Sequence, residues 1–365
     1  MKISANRLDR GFELHKKEYE DKALEVLRSG WYILGNEVEG FEKEFADYVG
    51  AKYCVGVANG LDALWIAFRI LGIGQGDEVI VQANTYIASV MGISINGATP
   101  VLVEPDEYYN IDSSKIEAAI TKKTKAILVV HLYGQASDMT AVMNIAHKYD
   151  LKVVEDCAQS HGACHNGQMT GTFGDIGCFS FYPSKNLGAF GDAGAMVMND
   201  SGLAQKAKVF RNYGSEKRYY NQVVGTNSRL DEMQAGLLRV RLGHLDELQE
   251  ERVRICERYL AEIKNENLIL PSIKENCTTV WHQFVVRCKN RDKVIEYLNA
   301  NGIGTIIHYP IPPHLSEAYG YLGFEEGDYP ITEKYAKEVL SLPLYNGMKE
   351  EEINYVIDII NQYRV

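Results

Sequence analysis

The chain has 365 residues, with 38 Lys and Arg against 49 Asp and Glu for a formal charge of −11, and 46% of its residues are hydrophobic. These proportions belong to an ordinary globular protein long enough for about two domains. An acidic chain lacks the basic footprint of a nucleic-acid polymer binder, and no run of about 18 apolar residues suggests a membrane span.

The N-terminal MKISANRLDR has no apolar signal core, so a cytoplasmic location is expected. The seven cysteines form no C-x-x-C pair and read as reduced thiols, implying neither a disulfide framework nor a metal site. The first apolar run, 53–58 (YCVGVA), leads through Asn59 and Gly60 into LDALWIAF. Strand, tight turn and helix in that order leave free N–H groups at the helix start that can hold a phosphate, and Gly60 permits close approach of the backbone. An ordinary βα turn explains the same residues. LGIGQGDEV carries Gly72, Gly74 and Gly76, but a helix precedes it and a strand follows. A dinucleotide loop needs the reverse order, so an αβ turn is expected.

Further apolar runs at 78–82, 99–104, 126–132, 152–156, 176–182 and 194–198 read as strands covered on both faces. Helices separate several of them. Asp112 or Ser113 can cap IDSSKIEAAI, and Ser137 or Asp138 can cap a helix with the stripe Met139, Val142, Met143 and Ala146. This alternation predicts a mostly parallel sheet between helices. Beyond about residue 228, MQAGLLRVRLGHLDELQEERVRICERYLAEI reads as one long amphipathic helix. A strand in WHQFVVRC (281–288), a helix near 291–300, the Pro- and His-rich IIHYPIPPH (306–314) and a helix over 349–363 follow, as in a small α+β unit. The expected division is a large domain over 1–240, including an N-terminal helical segment, and a small one over 241–365.

Two segments carry chemistry. VVEDCAQSHGA (153–163) ends an apolar strand in Glu155 and Asp156, and ligand sites in open α/β sheets lie beyond the carboxyl ends of strands. Asp156 could pair with a protonated ring nitrogen there, with Gln159 reaching the same ligand; capping the next turn is the plain alternative. CFSFYPSKNLGAFGDAGAM (178–196) runs from an apolar strand into Pro183, Ser184 and Lys185. A desolvated lysine has a depressed pKa and can form a Schiff base; a solvated loop lysine is the alternative. A phosphate turn, an acid for a ring nitrogen and an amine for an imine together meet the needs of pyridoxal 5'-phosphate (PLP).

These motifs, with SGWYILGNEVEGFEKEFADYVG (29–50), GIGQGDEVIV (72–81), SFYPSKNLGAFGDAGA (180–195), NSRLDEMQAGLL (227–238) and GIGTIIHYPIPPHL (302–315), run in order along nearly the whole chain. On them the sequence resembles the DegT/DnrJ/EryC1/StrS family of PLP-dependent nucleotide-sugar aminotransferases. The resemblance implies an α/β PLP fold type I (aspartate aminotransferase-like), with a mostly parallel seven-stranded sheet between helices and a smaller C-terminal α+β domain. It implies that Lys185 is the Schiff-base lysine and proton shuttle, Asp156 the partner of the pyridine nitrogen and Gln159 a contact of the coenzyme's 3-hydroxyl. Tyr86 would stack on the ring, and Gly60, Leu61 and Ser180 would hold the phosphate. Asn227 would reach the phosphate of the other subunit, which requires a homodimer with shared sites. Arg229 is a candidate for the amino donor's carboxylate, since guanidinium matches carboxylate bidentately. His308, Tyr309 and His314 are candidates for the sugar side.

The implied reaction moves an amino group from L-glutamate to the 3-keto carbon of a dTDP-linked 3-keto-6-deoxyhexose, by a ping-pong mechanism, in amino-sugar biosynthesis such as that of an O-antigen or S-layer glycan. Amination at C4 of a nucleotide-linked keto sugar, or of a cyclitol, is the alternative. A coenzyme-dependent dehydratase and a non-catalytic sugar-binding homologue are rivals that the presence of Lys185 disfavours.

Overall fold

Strands β1 (Tyr53–Val57), β2 (Glu78–Gln82), β3 (Thr99–Val103), β4 (Thr124–Val130), β5 (Lys152–Asp156), β6 (Ile176–Ser180) and β7 (Gly194–Met198) form one sheet in a computed structural model that describes residues 1–364. Their order is β1-β7-β6-β5-β4-β2-β3. The pairs from β3 to β6 are parallel, and β7 runs antiparallel to both β6 and β1. Helices cover both faces, which is why the strand centres are apolar at successive positions rather than at alternate ones; Val79, Ile80 and Val81 are all fully buried.

Local chemistry sets the helix starts. Asn59 accepts from the Asp62 N–H at 2.8 Å and begins the helix Gly60–Ile70. Of the paired cap candidates, Asp112 accepts from the Ser114 N–H at 3.0 Å and Asp138 from the Ala141 N–H at 3.1 Å. The Gly72–Gly76 segment joins that first helix to β2, with Gly72 at φ +79° and Gly76 at φ +91°, as an αβ turn requires.

The single long helix expected after residue 228 is instead two, Glu232–Gly243 and Leu245–Glu262. His244 breaks the run at φ −112°, ψ 5°. Gly243 weakens the helix there, and tertiary contacts fix the bend: the His244 ring stacks on His15 at 3.6 Å, and its Nε2 lies 3.0 Å from Glu18. Both partners come from the N-terminal segment, His15 at the junction of two helices and Glu18 within the second, which amphipathic periodicity within 233–263 cannot report.

A second apolar core gathers Ile255, Tyr259, Phe284, Leu340 and Val356. It is crossed by an antiparallel pair, β8 (Phe284–Arg287) and β9 (Val339–Leu342), and closed by the helix Glu350–Gln362. β9 follows a helix directly and was not legible as a strand. Ile3 packs into this core and bridges to Ile303, so the first residues of the chain lie with the last hundred. No helix among the described residues is long and apolar enough to cross a membrane.

Candidate active site

The site is built at the carboxyl edge of the sheet, where β5 ends. Strand alternation sends its last two carboxylates to opposite sides. Glu155 is fully buried and accepts from the N–H groups of Gly171 at 2.7 Å and of Phe173 and Gly174 at 2.8 Å. Its Oε2 also lies 3.1 Å from His131 Nε2, while His131 Nδ1 accepts from the Ser137 N–H. That network assigns the His131 proton to Nε2, and it clamps the loop at 171–174 to the strand end. Asp156, on the other side, accepts from the Ser89 hydroxyl at 2.7 Å and the Ala158 N–H at 3.1 Å. Burial raises the pKa of Asp156, and these donors act against the rise.

Lys185 follows β6 in the loop that returns to β7. Part of its surface opens onto a cavity, yet dense protein surrounds the amine, which has no hydrogen-bond partner among the described residues. Desolvation pulls its pKa from 10.5 down to about 8, with the charge of Asp156 pulling weakly the other way. Three neutral imidazoles share its neighbourhood. Burial, with the Lys185 charge second, lowers His161 to about 3 and His308 to about 4, and it holds His282 well below its usual value. His161 Nε2 donates to the Ser180 carbonyl at 3.0 Å, and His282 Nδ1 lies 3.2 Å from Asn186 Oδ1.

An aromatic wall stands beside them. Tyr86, half exposed, lies 4.9 Å from the Tyr309 ring at an interplanar angle of 35°. Gln159 Nε2 donates to the Tyr309 hydroxyl at 3.0 Å, and Gln159 Oε1 accepts from the Tyr133 N–H at 2.6 Å. The Tyr133 hydroxyl in turn donates to the His308 carbonyl. The Pro-rich loop is thereby fixed against the sheet.

The glycine turn abuts the same edge. A Cβ on Gly60 would fall 2.5 Å from Ser180 Cβ, and one on Gly194 would fall 2.4 Å from the Asn59 carbonyl carbon. Only glycines allow the Asn59–Leu61 turn to settle on β6 and β7, with Ser180 beside the helix start. Buried Ser228 donates to Asp62 at 2.6 Å and accepts from the Ala58 N–H at 3.1 Å, which leaves its neighbour Asn227 exposed beside the turn.

Lys185, Asp156, Gln159, Tyr86, Gly60, Leu61, Ser180, His308 and Tyr309 are thus gathered at one edge. Two candidates have partners of their own. Arg229 donates through Nη1 to Asn212 Oδ1 at 3.1 Å, and its guanidinium lies over the Tyr213 ring. His314 is corrected from the sugar side: the short helical turn Pro313–Leu315 directs it inward, where it is buried 3.1 Å from Glu333 and packs on Tyr329. Sequence reasoning missed Ser89, His161, His282, Arg241 and Arg252. Only His161 carried a signal, lying two residues beyond Gln159.

A desolvated amine and a buried carboxylate at one edge of a mostly parallel sheet define a protein of amino-group chemistry. The model of the DegT/DnrJ/EryC1/StrS aminotransferase family matches residues 13–361. The chain is 54% identical over 350 residues to a dTDP-3-amino-3,6-dideoxy-alpha-D-galactopyranose transaminase of Aneurinibacillus thermoaerophilus, covering 96% of each. It is 46% identical over 358 residues to a dTDP-3-amino-3,4,6-trideoxy-alpha-D-glucose transaminase of Streptomyces venezuelae, covering 98% of this chain and 94% of the relative. The crystal structure of S. venezuelae DesV matches with a TM-score of 0.98 at 45% identity, over 100% of this chain and 99% of that one. The protein belongs to the DegT/DnrJ/EryC1/StrS aminotransferase family, and it is an aminotransferase. Aminotransferases of this family are PLP-dependent, and a putative sugar aminotransferase of Streptococcus pneumoniae, similar at a TM-score of 0.89 and 26% identity over 94% of this chain and 95% of that one, has been solved in a PLP form.

Proposed function

We propose that the protein transfers an amino group from L-glutamate to the 3-keto carbon of a dTDP-linked 3-keto-6-deoxyhexose, by a ping-pong route, in cytoplasmic biosynthesis of an amino sugar for a glycan of the O-antigen or S-layer type. The observation that carries the chemistry is the Lys185 amine, desolvated and without a hydrogen-bond partner among the described residues, at the same sheet edge as buried Asp156. The sugar assignment is supported by the two transaminases named above, each described by a dTDP-linked 3-amino sugar.

The residues present fit PLP. Lys185 offers an uncommitted amine, Asp156 a buried carboxylate that already accepts from Ser89 and Ala158, and the side-chain-free Gly60 a helix start with free N–H groups. When bound, the coenzyme supplies a carbonyl that takes up an amine and a ring that stores the electron pair released at carbon. Asp156 would hold a proton on the ring nitrogen, Gln159 would be the contact for the 3-hydroxyl and Tyr86 for the ring, and Gly60, Leu61 and Ser180 would hold the phosphate. Lys185 would carry the proton between substrate carbon and coenzyme. Its lowered pKa lets it both accept and release that proton near pH 7. His308 and Tyr309 face the sugar. The same reading assigns the coenzyme part to 1–240 and the smaller part to 241–365.

Asn227 is exposed, as are Trp31 at 64% and Tyr32 at 51%. These exposures support a homodimer in which Asn227 completes the partner's phosphate site. Light scattering is expected to give twice the chain mass; a monomer with full activity would rule out shared sites. The reaction itself is tested with a panel of 3-keto and 4-keto dTDP- and UDP-sugars, reading products by mass and NMR. Amination at C3 of a dTDP-sugar is expected. Amination only at C4, or only of a UDP-sugar or cyclitol, overturns the substrate assignment and leaves the coenzyme chemistry standing.

A further inference from the structure

The cavity that Lys185 opens onto has a volume of about 280 Å³ and is lined also by Asn6, Ser184, Arg241, Arg252 and Asn346. Arg252 is only 6% exposed. Its Nε and Nη2 donate to the carbonyls of Trp281 and His282 at 2.9 and 2.7 Å, which fixes the plane of the guanidinium and leaves Nη1 uncommitted. Arg241 is half-buried on the same cavity and anchored by Nε to the Asn186 carbonyl at 3.2 Å. Neither forms an ion pair among the described residues. The nearby carboxylates are engaged elsewhere: Asp9 by Arg7, and Glu251 by the Asn346 amide and the Gly347 N–H. Burial lowers the pKa of both guanidiniums, Arg252 to about 10, and the charge of Arg241 adds to the lowering at Arg252.

Two desolvated like charges without a counter-ion are costly, by several kcal/mol per ion, and an arriving anion relieves that cost. A planar guanidinium held by its own hydrogen bonds is preorganised for a carboxylate. The volume suits a five-carbon amino acid. The geometry points to Arg241 and Arg252 as the carboxylate subsite for the dicarboxylic amino donor, beside the Lys185 amine, in place of Arg229. This assignment rests on the aminotransferase reading above and adds to it the residues that hold the donor.

The test is calorimetric titration of the PLP-loaded enzyme with glutarate, a dicarboxylate that has no amino group to react. Wild type is expected to bind it, and Arg241→Gln to weaken binding about 30-fold. Arg252→Gln is expected to do the same and, because Arg252 also braces Trp281 and His282, is read together with its thermal unfolding. KM for glutamate is expected to rise in Arg241→Gln by a similar factor, with KM for the keto sugar unchanged. Absence of glutarate binding in wild type overturns the inference, as does an Arg241→Gln enzyme that binds it normally, a loss confined to Arg229→Gln, or displacement of glutarate by dTDP. Failure to aminate any dTDP-sugar, with glutarate binding lost in Arg241→Gln, supports the subsite and removes only the sugar assignment.

Discussion

A lysine amine in water is almost wholly protonated at pH 7, whereas a pKa of about 8 leaves roughly a tenth of Lys185 as free amine. The free amine is the attacking form, so covalent attachment of PLP to the coenzyme-free protein is expected to speed up as pH rises, with a midpoint near 8. Stopped-flow absorbance measures it, and a midpoint near that of an ordinary lysine would show the amine to be solvated. Lys185→Ala is expected to lose the visible absorbance of the attached coenzyme and at least about 100-fold in turnover, since both nucleophile and proton carrier go. Asp156 and Lys185 were legible as a pair because each follows an apolar strand. Ser89 was not: a serine in ANTYIAS looks like any other until the first turn of its helix, Ile87–Ser94, is brought beside the end of β5.

At the scale of elements, the glycines separate into those that touch something and those that do not. A Cβ on Gly60 meets Ser180 at 2.5 Å, on a buried strand that cannot yield. Gly60→Ala is expected to destabilise the protein by about 1–3 kcal/mol in denaturant titration and to speed loss of coenzyme on dialysis. Gly243 has nothing within 4 Å of a built Cβ and ends a helix. Gly243→Ala is therefore expected to be stabilising, by about 0.5–1 kcal/mol; a clear destabilisation would show that the bend at His244 needs glycine. The bend itself illustrates the limit of periodicity. Apolar spacing continues through Gly243 and His244 because both halves bury one face, and what redirects the second half is contact with His15 and Glu18, more than two hundred residues away in sequence.

Across the whole molecule, the fold buries His161, His282 and His308 in neutral form around one lysine. Their folded pKa values lie below those of the unfolded chain, so the unfolded state takes up protons that the native state refuses. Stability is full above about pH 6.5 and falls as pH drops below it, by roughly 1.4 kcal/mol per pH unit for each histidine. Melting temperature is expected to decline from pH 7 to 5, and less steeply in His308→Gln; equal slopes would remove His308 from the account. By itself the sequence determined the sheet, its seven strands and the chemistry-bearing Lys185 and Asp156, because two-sided burial writes continuous apolar runs and a strand's end is where its polar residues begin. Only the tertiary structure decided the broken helix, the inward turn of His314, the engagement of Arg229 and the pair Arg241 and Arg252 on the Lys185 cavity. Those depend on which elements meet, and an arginine on a helix reads the same whether its guanidinium faces water or a partly open cavity without a counter-charge.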